Sequence, residues 1–206
     1  MSRISYITPD NFTEAQQRLF KSITGGKRGE GRAPEDLLNS EGGMSGPFNP
    51  WLRSPVLGDA AQRLGETVRF ESVLSPRLRE LAILIVAAKW KAQYEWWAHE
   101  KIARREGLDE RIIESVKAET PPDVANPTET VVYNFARELL DEHRVSDPLY
   151  DEAVELLGEA GVVELVILLG YYTLVSMTLN VFEVSVPAGE SAPFVGIEVG
   201  TDRAEP

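Results

Sequence analysis

A chain of 206 residues is long enough for one well-buried domain and short for two. Its 21 Lys and Arg stand against 33 Asp and Glu, a formal net charge of −12 that repels phosphate backbones and anionic lipid surfaces, so neither nucleic acid nor a membrane is an expected partner. Cysteine is absent, which excludes disulfides, thiolate metal sites, cysteine nucleophiles and peroxidatic thiols.

The N-terminus, Met1 to Asp10, lacks the apolar run and small-residue cleavage site of a secretory signal, and a cytoplasmic location is the expectation. A first helix is predicted from about Asp10 to Ser22, with Phe12, Ala15, Leu19 and Ile23 on one face and Gly25-Gly26 ending it. Residues 25 to 54 are rich in Gly, Pro, Asn and charge, yet contain Phe48 and Trp51. Such a long irregular stretch inside a domain is functional or disordered. The aromatics favour docking of its second half.

A residue that caps helices, followed by proline, recurs at Ser54-Pro55, Ser75-Pro76, Asn126-Pro127 and Asp147-Pro148. The side-chain oxygen satisfies an orphan amide, and proline in the first turn loses no hydrogen bond. These starts predict an all-α protein with helices from Pro55 to about Phe70, from Pro76, from Pro127 to about His143 and from Pro148 to about Ala160. Asp109 caps a short helix through about Lys117, which Thr120-Pro121-Pro122 ends. The run Leu78, Leu81, Ala82, Ile83, Leu84, Ile85, Val86 is apolar on nearly every face and predicts a buried helix. After Gly161, Val162 to Val184 carries no charge between Glu164 and Glu183, but Thr173, Ser176, Thr178 and Asn180 interrupt it, so a buried or subunit-interface helix is expected rather than a membrane span. One domain over 1–187 is expected, with 188–206 as a tail over the surface or without order.

Three residues between Leu74 and Lys101 are suited to acid–base chemistry: Glu80, Glu95 and His99. Glu95 and His99 stand at i and i+4 and share a helix face, where the carboxylate can fix the imidazole tautomer and raise its basicity. Glu80 is harder to place. On one straight helix it would lie about 28 Å from His99, and no glycine or proline near Lys89-Trp90-Lys91 announces a turn. A salt-bridged structural role beside Arg77 and Arg79 stays open for Glu80. Trp51 and Arg53 are candidates to line a pocket, Arg53 as a bidentate clamp on a substrate carboxylate or as an ordinary surface arginine. Tyr94, Trp96 and Trp97 are core packing or a substrate stack. His143, among Asp141, Glu142 and Arg144, reads as a surface residue at a helix C-terminus. Two histidines far apart give no metal-ligand cluster, and no metal or cofactor is expected.

Leu74-Ser-Pro-Arg-Leu-Arg-Glu-Leu-Ala-Ile-Leu84, then Tyr94-Glu-Trp-Trp-Ala-His99, then Ala103 to Gly107-Leu108, resembles the carboxymuconolactone decarboxylase family, and Val163 to Asn180 is similar to the closing helix of its longer members. The resemblance runs from about Pro47 to Pro187. It implies the all-helical AhpD-like fold, a homo-oligomer (trimer or hexamer), and a break near residue 90 that brings the glutamate and histidine together. In the peroxidase branch of that fold a C-x-x-C pair joins them; here the matching positions hold Ala92 and Glu95, so that redox route is closed. The implied activity is a cofactor-independent, decarboxylase-like lyase acting on a small carboxylated lactone or oxo acid, with His99, Glu95 and Glu80 in catalysis and Arg53, Trp51, Trp96 and Tyr94 at the substrate. Isomerisation, lactone hydrolysis, cyclisation or ligand binding without turnover are the alternatives on the same scaffold.

Overall fold

The computed structural model describes residues 2–196, and every regular element among them is helical. The α-helices are α1 (Glu14–Thr24), α2 (Phe48–Trp51), α3 (Pro55–Phe70), α4 (Pro76–Lys89), α5 (Gln93–Arg105), α6 (Glu110–Lys117), α7 (Pro127–Glu142) and α8 (Asp147–Val181). The proline-marked starts are those of α3, α4, α7 and α8. At α4 and α7 the cap is made by the side chain, with Ser75 accepting from the Leu78 amide and Asn126 from the Thr128 amide. Helix α1 begins four residues later than its apolar spacing suggests. Thr13 and Gln16 form a reciprocal capping box there, and Pro9–Asn11 makes its own short turn first.

Helix α4 is the centre of the molecule. From Glu80 to Ala88 every residue is buried, because α5, α6, α7 and α8 all pack around it. Its surroundings explain why the sequence shows no polar face there. Helix α8 continues through Gly161 and bends instead at Gly158, where φ 72° and ψ 164° suit only glycine. Gly161 serves a different purpose: a Cβ there would press on Leu157, one turn earlier, and would meet Leu74. The apolar second half of α8 is long enough to cross a bilayer by length and composition, but half of that window is buried, and the helix packs on α3, α4, α5 and α7.

A smaller core of Leu19, Phe20, Ile23, Met44 and Leu52 joins α1 to the docked loop, and Phe48 packs against both cores. The C-terminal segment also differs from expectation. Gln93, in the first turn of α5, holds both backbone groups of Phe194, donating to its carbonyl at 2.7 Å and accepting from its amide at 2.8 Å. That places the Phe194 ring edge-on to Trp96. The rest of the tail, 197–206, lies outside the described residues.

Candidate active site

The turn between α4 and α5 is made without glycine. Lys91 takes the left-handed conformation, φ 49°, and the amides of Lys91 and Ala92 bond back to the carbonyls of Ala88 and Ala87 at 3.1 and 2.9 Å. This closes the end of α4 as a glycine C-cap would, at a cost of about 1 kcal/mol for a residue with a side chain. The lysine is held there by an ion pair with Glu119 and by contact with the Phe194 ring. Helix α5 can then fold back along α4.

Folding back brings Glu80 and His99, nineteen positions apart, into contact. Nδ1 of His99 lies 2.7 Å from Oε2 of Glu80, and Nε2 lies 3.0 Å from Oε1 of Glu95. All three side chains are buried. Burial alone pushes the imidazole down, but the charges of Glu80 and Glu95, with their hydrogen bonds, outweigh it and lift His99 to about 9. At neutral pH the site therefore holds an imidazolium donating to two carboxylates, three charges with a net of −1. Neither ring nitrogen is free, so the imidazole faces its surroundings only through the two carboxylates.

Aromatic rings wall this trio. Tyr172 stands edge-on to His99 with centroids 5.2 Å apart, and Tyr171 stands edge-on to Tyr172 at the same distance. Burial raises Tyr171 to about 12 and Tyr172 well above its ordinary value. The charge of Glu95 acts on both phenols, as it does on Tyr94, and that of Glu80 acts on Tyr172. The docked loop closes the end of α5: Gly46, at φ 61°, lies so close to Tyr94 that a Cβ would come within 2.9 Å of its ring.

The remaining residues singled out by the sequence are dispersed. Tyr94 lies tilted against Trp97, with centroids 5.5 Å apart, at the loop side of α5. Trp51 is buried against Phe48. Arg53 is not brought to the trio; it is exposed and donates to the carbonyl and hydroxyl of Ser5, at 2.6 and 3.1 Å. Trp96 is enclosed beneath Phe194 with Lys117 over its ring, which makes it core packing. The sequence reading missed Arg28, whose buried guanidinium meets Tyr171, and Tyr171 and Tyr172 themselves. The adjacent tyrosines on an apolar helix were the visible signal; nothing local marks Arg28.

Residues 55–138 match the carboxymuconolactone decarboxylase family, a span that includes Glu80, Glu95 and His99. That stretch belongs to the family. Solved structures similar to this chain extend the likeness beyond the family segment and show an AhpD-like fold. A peroxidase-related AhpD-core protein from Ralstonia eutropha is 14% identical with a TM-score of 0.70, covering 91% of this chain and 93% of that one. The debrominase Bmp8 is 12% identical with a TM-score of 0.66, over 89% and 91%. A putative antioxidant defence protein AhpD from Agrobacterium tumefaciens is 16% identical with a TM-score of 0.62, over 70% and 99%. No curated protein matches the sequence significantly. The chain itself carries no cysteine.

Proposed function

We propose that the protein is a cofactor-independent acid–base enzyme that decarboxylates a small carboxylated lactone or oxo acid. The observation that carries this is His99 bonded through both nitrogens to buried carboxylates, which stores a proton at neutral pH where no cysteine is present to do redox chemistry. Loss of carbon dioxide breaks a carbon–carbon bond and leaves the electron pair on the neighbouring carbon. Glu95 hands that carbon a proton drawn from the His99 imidazolium, and His99 is recharged from solvent after release. Glu80 fixes the ring and balances its charge throughout.

His99→Gln, assayed for carbon dioxide release from candidate lactones and oxo acids, is expected to lose turnover by about a thousandfold with its helical circular dichroism intact. Retained turnover in that variant overturns the proton-store assignment. A structural relative, the Bmp8 debrominase, has been captured as its C82A variant with 2,3,4-tribromopyrrole, which supports a small, flat ligand for the scaffold.

A homo-oligomer is part of the same proposal. Val163, Val166, Ile167, Leu174, Met177 and Val181 are exposed apolar residues whose spacings keep them on one face of α8. Sedimentation equilibrium is expected to give a trimer or hexamer; a monomer at micromolar concentration overturns this part.

A further inference from the structure

The loop between α1 and α2 buries a positive charge that the Glu80–His99–Glu95 trio does not use. The Arg28 side chain is only 7% exposed, and the carboxylate paired with it, Glu66, stands off at 4.0 Å. Nη1 of Arg28 donates to the carbonyl and side-chain oxygen of Gln62 at 2.9 and 3.2 Å. The guanidinium lies 5.6 Å from the centre of the Phe48 ring and beside the Tyr171 phenol. They meet over Gly65, where any Cβ would collide with the Tyr171 hydroxyl and the Arg28 guanidinium. Arg69, over Phe70, adds a second positive charge that acts on Arg28 and on both tyrosines. Burial, and then the Arg69 charge, hold Arg28 below its ordinary value against the opposing pull of Tyr171, Tyr172 and Glu66. An arginine does not shed its proton in response, so the cation remains under-neutralised.

One further group is unsatisfied. The Tyr172 hydroxyl is fully enclosed and has no hydrogen-bond partner. Its ring lies between His99 and Tyr171, so the sequence across the site is His99, Tyr172, Tyr171, Arg28. A buried donor without an acceptor costs about 1–3 kcal/mol, and a buried cation without a close anion costs more. A small anion lodged between them would relieve both.

We propose that Arg28 and the Tyr172 hydroxyl form an anion subsite of the active centre, which binds a carboxylate of the substrate while the reacting carbon lies at Glu95 and His99. The proposal rests on the acid–base reading above and extends it to the ligand. A carboxylate fits better than a phosphate for two reasons. Its planar pair of oxygens matches the fork of one guanidinium, and a dianion would be repelled by the net negative trio two ring contacts away. Phe48, Tyr171 and Tyr172 favour a flat, apolar body on that carboxylate.

Calorimetric titration of the full chain with benzoate, and with benzamide as its neutral counterpart, tests the subsite without turnover. Benzoate is expected to bind and benzamide not to. Arg28→Gln and Tyr172→Phe should each weaken benzoate by about tenfold or more, while Arg53→Gln leaves it unchanged. Tyr172→Phe removes only a hydroxyl without a partner, so it carries the measurement if Arg28→Gln does not fold. The proposal is overturned if benzoate fails to bind at millimolar concentration, or if it binds Tyr172→Phe as tightly as the parent protein. Turnover by His99→Gln addresses the acid–base reading separately, so either can fail while the other stands.

Discussion

The molecule buries acidic side chains in two quite different ways. Glu129, in the first turn of α7, is 1% exposed and paired with Nε of Arg77, whose Nη1 reaches the Gly107 carbonyl. One negative charge meets one positive charge, and the pair ties the starts of α4 and α7 to the corner after α5. Glu80 and Glu95 are equally enclosed but share a single imidazolium. They join α4 to α5, a contact that the surrounding apolar packing already secures. A balanced pair with structural partners reads as architecture. An unbalanced trio in the centre of the core, beside an unsatisfied phenol, has no such structural account and supports the proposed acid–base role.

Substitutions can break that contrast, and after His99→Gln the largest effect is expected at Glu95. Glu95→Gln keeps size and hydrogen-bonding ability but removes the proton carrier, and kcat should fall by about a hundredfold or more with little change in urea unfolding. A variant that unfolds readily but turns over normally would place Glu95 with the architecture instead. Next in size is the pH dependence of stability. His99 is raised from an ordinary 6.5 to about 9, so the folded state binds the proton more tightly than the unfolded chain. The resulting stabilisation is complete below about pH 6.5 and is lost as pH rises through 9, on the order of 3 kcal/mol in total. Urea titrations across that window, compared between the parent and His99→Gln, read it directly; parallel pH profiles would mean the imidazole is not charged in the fold. Smallest is Glu129→Gln, expected to lower stability by about 2 kcal/mol and to leave kcat within twofold of the parent. A large drop in kcat without unfolding would erase the distinction between the two regions.

Much of the helical layout was legible because it is written locally. Ser75-Pro76 and Asn126-Pro127 mark helix starts by the chemistry of two residues, and the structure uses both caps. The docking of the second half of the 25–54 loop followed from Phe48 and Trp51. Glycine was less dependable: Gly161 looks like a breaker but packs inside α8, while Gly158 does the bending. Within the site, Glu95 and His99 were legible from helical periodicity. Glu80 was not, because the turn that delivers it rests on Lys91 in a conformation that sequence rules assign to glycine. Arg28 was invisible for a different reason. A charged residue beside Gly25-Gly26 reads as solvated loop, and only the packing of that loop over α3 and α8 encloses it.

The Lys91 turn also bears on how such a site could be gained or lost over generations. It is only three residues long, from the end of α4 to the start of α5, and it sets the rotation of α5 about its own axis as well as its direction. A one-residue insertion that α5 absorbed as an extra helical position would rotate His99 by about 100°, turning it out of reach of Glu80. The chemistry would vanish with each of its side chains still encoded. In this scaffold a change of length in a short corner therefore carries as much weight as a change of identity in the core.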